Sequence, residues 1–341
     1  MDVSARGQVK TSRIALMKLE KGHENDYSLM EDKLVSVVIL TWERKDDVLA
    51  AVQSAYDQSY QNTEIIVVDN ASTDGTVEAL RTAFPAIKLI VLGRNMGSSA
   101  GRNPGIVAAK GEIIFLLDSD ATLRRDTLSN IVHKFQGAPE AGVLTCKILN
   151  AATLELDPNT WIFSEKDKAD QDIEFPSFSF CECGVAFRRE VFDRAGLFWD
   201  LLFFGREGEE LGLRVLDAGY KIFYYPKSVI YHRASPWKRV AGGNWEYYNL
   251  RNCLYIYLIH YPWWMLVSFV PLKIGTSLLR GIKRCYLRQV FQALLDVSRQ
   301  LPTLYKKRRP VADATAHYYL RLQREHGILT WNLASWFKYK Y

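Results

Sequence analysis

Asp118 and Asp120 stand one residue apart, directly after five consecutive apolar residues at 113–117, IIFLL. An unbroken apolar run with β-branched and aromatic members marks a strand buried on both faces of a parallel sheet. Its C-terminal end is where open α/β sheets keep their ligand crevice. Two carboxylates that close repel each other unless a cation lies between them. Oxygen ligands suit Mg2+ or Mn2+, either of which can also hold phosphate oxygens. The same two residues would also serve an Asx-turn or a helix cap with no cation present.

The flanking sequence predicts the elements that position this pair. Strands are expected at 35–40, 64–68, 87–92, 113–117 and 141–149, and helices at 46–56 and 76–84, with a short helical piece ending at 110. This alternation gives a parallel sheet of right-handed βαβ units whose strands end at one edge. Thr41 follows the first strand, Asp69 the second, and Asp118 and Asp120 the fourth. An acid placed like Asp69 accepts hydrogen bonds from a ribose or base edge in dinucleotide sites; it could equally cap a helix. Segment 93–105, GRNMGSSAGRNPG, is neither a dinucleotide fingerprint nor a phosphate loop. Its four glycines would let backbone N–H groups approach an anion, and Arg102 adds a charge suited to phosphate.

The stretches VSVVILTWER, EIIVVDNASTDGT, NMGSSAGRNPGI and IIFLLDSD, in that order, resemble the nucleotide-binding half of a family 2 glycosyltransferase. The resemblance covers residues 34–235 and implies a GT-A fold: α/β, a doubly wound, mostly parallel sheet, here with a helical C-terminal extension. It implies that Asp69 contacts the nucleobase, that Arg102 lies near the nucleotide, and that Asp118 and Asp120 form a D-x-D pair, Asp118 near ribose and metal and Asp120 on the metal. Thr41, Asn95 and Gly97 fall in the same motifs and are expected to line the donor site. With them goes Glu43, which stands where relatives often carry asparagine.

On the acceptor side, 183–192, CGVAFRREVF, resembles the family's Gly-x-x-x-x-Arg-Arg strand and helix start. Relatives usually carry Glu-Asp-x-Asp before Leu-x-x-Arg, one of those acids being the general base. Counted back from Arg214, Glu207 matches the first acid, Gly208 falls where the second belongs, Glu210 matches the last, and Glu209 is one step displaced. The resemblance thus places the base among Glu207, Glu209 and Glu210, although acids opening a helix also suit its macrodipole alone. His232 resembles a histidine that completes the metal site in some relatives, and neutral imidazole suits Mn2+. A structural role for this lone histidine is the alternative.

The bulk composition agrees with a globular protein. At 341 residues, 48% apolar and 24% charged, the chain has length for a substantial core, and its net charge of +6 does not suggest nucleic acid. Five cysteines without regular spacing point to a reducing compartment, with Cys181 and Cys183 as ordinary thiols. No signal-peptide core is visible at the N-terminus, and a cytoplasmic location is expected. Residues 253–272 contain no Asp, Glu, Lys or Arg, and ten basic residues against one acid lie between Lys273 and Arg309. Interrupted by Pro262 and Pro271 and carrying Trp263 and Trp264 mid-segment, this region is expected to dock on the inner face of a membrane rather than span it. An internal helical pair or a homo-oligomer interface is the alternative.

The expected organisation is an extension at 1–32, a catalytic domain at 33–240 with halves 33–150 and 151–240, and a helical, aromatic and basic region at 241–341. The expected activity is inverting, metal-dependent transfer of a hexosyl or deoxyhexosyl group from a nucleoside diphosphate sugar (UDP- or dTDP-linked) to a hydroxyl. The acceptor would be a glycan, a lipid-linked carrier or a small molecule, in surface glycan or glycolipid biosynthesis. No Ser-His-Asp or Cys-His arrangement points to a covalent intermediate. A nucleotidyltransferase would want a glycine-rich basic loop where this chain has TWERKDD. A binding protein that has lost catalysis would explain Gly208.

Overall fold

The structure, a computed structural model, describes residues 32–233 and 244–327. All but the last residue of the expected N-terminal extension, and the boundary expected at 240, lie outside the described residues. In chain order come β1 (Val35–Thr41), α1 (Lys45–Tyr56), β2 (Thr63–Asp69), α2 (Thr76–Ala83), β3 (Lys88–Val91), α3 (Gly97–Ala108) and β4 (Ile113–Asp118). These strands pair in parallel in the order β3-β2-β1-β4. Side chains alternate between faces along a strand, so each apolar run feeds two cores. Val38, Ile66, Val68, Ile114 and Leu116 join the core on one face, and Val37, Ile39, Ile65, Val67, Phe115 and Leu117 the core on the other. Full burial of each such side chain is worth about 1.5–3 kcal/mol, and the buried polar exception in β1, Ser36, is hydrogen-bonded to Glu64.

The second half adds β5 (Ala121–Leu123), α4 (Thr127–Gly137), β6 (Ala141–Asn150), β7 (Phe175–Ser177), β8 (Gly184–Arg188), α5 (Arg189–Ala195), α6 (Glu207–Asp217) and β9 (Lys221–His232). Strand β8 inserts antiparallel between β4 and β6, β9 runs parallel to β6, and β5 and β7 pair antiparallel with β9. Among the described residues the sheet has nine strands and is mostly parallel, and 221–232 forms one long strand, β9. Its register against β6 jumps from Cys146–Tyr225 to Lys147–Val229, across Pro226, which has no N–H to give a ladder.

Segment 93–105 departs from expectation. Rather than an open anion-binding loop, most of it is helix α3, with Pro104 inside. Gly101 lets the helix sit 3.0 Å (Cβ position to side chain) from Leu40, and a Cβ on Gly105 would press on Val38 and Val68. These glycines serve close helix–sheet packing.

Four helices follow: α7 (Trp245–His260), α8 (Trp263–Arg284), α9 (Leu287–Lys306) and α10 (Asp313–His326). The uncharged stretch 253–272 is divided where α7 ends and Pro262 caps α8. Its two parts differ sharply. Helix α7 is core, with Leu250, Cys253, Leu254, Ile256 and Ile259 sealed from solvent. Helices α8 and α9 instead expose Trp263 (66%), Val267 (72%), Ile282 (64%) and Phe291 (60%). Among the described residues, α8 is the one helix long and apolar enough to cross a membrane, and little of it is buried inside the protein.

Candidate functional site

The parallel register places Thr41 opposite Asp69 and Leu40 opposite Asp118, so three expected site residues reach one sheet edge in line. Thr41 and Asp69 are both buried there. One Asp69 oxygen accepts the Ser72 amide at 2.9 Å, but Asp69 Oδ1 and Thr41 Oγ1 have no partner among the described residues. Buried polar atoms left unpaired cost roughly 1–3 kcal/mol each, and orphans that converge at a strand edge suit a polar ligand. Glu43 has a positive φ of 53°, and its carboxylate accepts from Thr73 N and Thr73 Oγ1 at 2.8 and 2.9 Å, tying the loop after β1 to the loop after β2.

Asn95 and Gly97 carry the start of α3. Asn95 Oδ1 accepts from Asn70 Nδ2 at 2.9 Å and from Gly97 N at 2.8 Å, while Ser98 N donates to the Phe203 carbonyl at 2.8 Å. The first amides of the helix are therefore engaged within the protein. Gly97 has φ +81°, and a Cβ there would collide with Phe203.

Each carboxylate of the D-x-D pair meets a cationic side chain. Arg102, buried, donates to Asp118 at 2.5 Å. Burial weakens its charge, but Asp118, Glu182 and Glu207 outweigh burial and raise its pKa. Arg44 lies 2.8 Å from Asp120 Oδ2, and His232 Nε2 lies 3.4 Å from the same oxygen. His232 Nδ1 in turn meets the buried Asp157 carboxylate at 2.5 Å. Burial disfavours the imidazolium, yet bonding to Asp120 and Asp157 holds His232 up to about 10. Burial also opposes the Asp120 charge, while His232 and Arg44 bring its pKa below the usual carboxylate value. Neither Arg44 nor Asp157 is singled out by the sequence, since both join the site through pairs distant along the chain.

No group of three His, Cys, Asp or Glu is arranged as a metal cage among the described residues. The donor set nonetheless fits Mn2+ or Mg2+ bound with a ligand. Asp120 Oδ2 and His232 Nε2 already face each other, Asp157 fixes the imidazole from behind as carboxylates do at metal sites, and phosphate oxygens commonly complete such a shell.

Helix α6 opens the acceptor side, and its three glutamates face different surroundings. Glu210 accepts from Arg214 at 2.7 and 2.5 Å and pairs with His260 Nε2 at 2.8 Å. Burial opposes its charge, but Arg214 and His260 bring its pKa down to about 2. Glu209 is held by Arg206 at 2.5 Å and by the Tyr319 hydroxyl at 3.0 Å. Glu207 points the other way, against Ser98 and towards Arg102. Next to it stands Glu182, which the sequence reading missed. Burial first, and then the charge of Glu207, push the Glu182 carboxyl up to about 8.

The loop before α6 contains Phe203 and Arg206 at positive φ, 59° and 72°. Arg251 clamps it through the Leu202 carbonyl at 2.7 Å, and Asn252 Nδ2 through the Phe204 and Gly205 carbonyls at 2.9 and 2.8 Å. The Arg-Asn pair of α7 thus positions the start of α6.

The family model described as Glycosyl transferase family 2 matches residues 36–196. The succinoglycan biosynthesis protein ExoO of Rhizobium meliloti (strain 1021) is 36% identical over 160 residues, 46% of this chain and 44% of that protein. The UDP-Glc:alpha-D-GlcNAc-diphosphoundecaprenol beta-1,3-glucosyltransferase WfaP of Escherichia coli is 36% identical over 103 residues, 30% of this chain and 41% of that protein. The chain thus spans less than half the length of these two relatives. Among solved structures, the mannosyltransferase PcManGT from Pyrobaculum calidifontis, in complex with GDP-Man and Mn2+, superposes with a TM-score of 0.51 at 22% identity, covering 85% of this chain and 83% of that one. That likeness is one of fold: a mixed α/β, GT-A type sheet followed by helices.

Proposed function

From the match of residues 36–196 to the glycosyl transferase family 2 model, we propose that this protein transfers a sugar from a nucleoside diphosphate sugar to an acceptor hydroxyl with inversion. The observation that carries the reading is the pair of buried oxygens without a partner among the described residues, Thr41 Oγ1 and Asp69 Oδ1, in line with the Asp118–Arg102 pair at one sheet edge. Asp69 and Thr41 would accept from the base, and Arg102 would hold Asp118 in place while supplying charge near the diphosphate. Asp120 and His232, with Asp118, would hold Mn2+ or Mg2+, which when bound neutralises charge on the departing diphosphate. Glu43, Asn95 and Gly97 shape the loops around the donor through bonds within the protein. Glu209 and Glu210, both engaged with cations, would anchor α6 to the C-terminal helices, leaving Glu207 as the member of the trio on the donor side.

The acceptor we favour is lipid-linked. The name of the Escherichia coli relative specifies a diphosphoundecaprenol acceptor. Here α8 and α9 expose large apolar side chains beside a basic sequence. An apolar surface and a cationic flank together hold proteins at anionic bilayers when either alone does not, which supports a position at the inner membrane face.

The test is to incubate the protein with Mn2+ and a panel of UDP-, dTDP- and GDP-sugars and to follow nucleoside diphosphate release. Slow release from one base series, faster with a lipid-linked acceptor, supports the reading. Pyrophosphate release from a nucleoside triphosphate and a sugar phosphate would instead identify a nucleotidyltransferase.

A further inference from the structure

Gly208 stands where the sequence resemblance leads one to expect an acid, and the structure gives a physical reason for glycine. Helix α6 passes so close to the preceding turn that a Cβ on Gly208 would collide with the Phe180 carbonyl oxygen. No side chain fits there. The same Cβ position lies 2.9 Å from Glu182 Oε1, so the space a residue-208 carboxylate would enter is already approached by a carboxylate from another element. Glu182 occupies the turn just before β8, and that turn is fixed to the D-x-D strand, since the Asp118 amide donates to the Cys183 carbonyl at 3.2 Å. Its charged surroundings are Glu207, Arg102 and Asp118. It is half-buried, where Glu210 is sealed within an ion pair.

We propose that Glu182 is the proton acceptor of the transfer reaction, replacing in space the helix acid that Gly208 excludes. The assignment rests on the glycosyltransferase reading. In the step, a lone pair on the acceptor oxygen forms the new bond to the anomeric carbon. The bond from that carbon to the diphosphate oxygen breaks, its electron pair leaving on the nucleoside diphosphate. The acceptor proton passes to a Glu182 carboxylate oxygen. Burial, and after it the charge of Glu207 alongside, disfavour a negative charge on Glu182 and make it more basic than an ordinary glutamate. In its ionised form a carboxylate held near 8 is a stronger base than an ordinary glutamate.

The experiment uses full-length protein, Mn2+ and the sugar-nucleotide panel, with water as acceptor. Glu182→Gln is expected to slow nucleoside diphosphate release about a hundredfold or more, within the range for a lost general base, while nucleotide affinity stays near wild type. In Glu182→Ala, added formate should restore part of the rate, which a merely structural role would not allow. On unsubstituted protein, carbodiimide with an amine should tag Glu182, and a bound sugar nucleotide should suppress the tag. Release by Glu182→Gln at the wild-type rate, with Glu207→Gln inactive, overturns the assignment in favour of Glu207. So does a Glu182 that is never tagged. If wild-type protein neither binds nor cleaves any donor, the transferase reading itself fails and takes this one with it.

Discussion

The carboxylate edge of the sheet and the outer face of α8 and α9 leave opposite kinds of surface unsatisfied. At the edge, buried oxygens of Thr41 and Asp69 lack partners among the described residues, while the strands that carry them are buried. On the helices, it is large apolar side chains, Trp263, Val267, Ile282, Phe291 and Tyr305, that face outwards. An orphaned polar atom calls for a hydrogen-bonding ligand, and an exposed apolar face calls for an apolar phase or partner. Helix α6 ties the catalytic sheet to the C-terminal helices, Glu209 accepting a hydrogen bond from Tyr319 of α10 and Glu210 pairing with His260 of α7.

Cutting that joint should have the largest effect. Glu210→Ala leaves Arg214 and the buried His260 without their carboxylate, and breaking such a pair costs about 3–5 kcal/mol. Denaturant unfolding should register the loss, and nucleotide binding should weaken only as far as unfolding demands. The pH dependence follows. With an ordinary value of 4.5 and a folded value of about 2, Glu210 contributes its stability fully above pH 4.5 and loses it as pH falls towards 2. Glu210→Gln should flatten that limb of the stability curve. An unchanged limb would place the acid sensitivity elsewhere.

The apolar face comes next. Val267→Glu combined with Phe291→Glu removes two exposed apolar side chains, worth at most about 1.5–3 kcal/mol each if fully inserted, and adds charge of the wrong sign. Flotation with anionic vesicles at low salt should fall by more than about tenfold, with melting temperature nearly unchanged. If the wild-type protein stays soluble in that assay, the face covers a partner chain rather than lipid. The smallest effect is expected from Leu301→Ser, an exposed site whose substitution should stay within about 0.5 kcal/mol of wild-type stability.

The same contrast governs what was legible in the sequence. Strand ends were readable because an apolar run closed by a polar residue is a local signal; Thr41, Asp69 and Asp118 follow from it, and the register then aligns them. Segment 93–105 misled because glycine usually signals a loop. Its glycines recur every four residues, at 93, 97, 101 and 105, and from 97 onward that is the spacing of one helix face. Arg44, Asp157, Glu182 and the Arg251–Asn252 clamp reach their partners through folding alone, Asp157 and His232 lying 75 residues apart. The division of 253–272 into core helix and exposed helix was likewise hidden, since composition does not report which side of a helix meets the protein.

The most direct test of the central claim is calorimetric titration of UDP, dTDP and GDP into wild-type and Asp120→Asn protein, each with and without Mn2+. The account predicts that one nucleoside diphosphate binds the wild type, that Mn2+ tightens the binding, and that Asp120→Asn abolishes the tightening. Tightening by Mn2+ that persists in Asp120→Asn, or no nucleotide binding to the wild type at all, would contradict it.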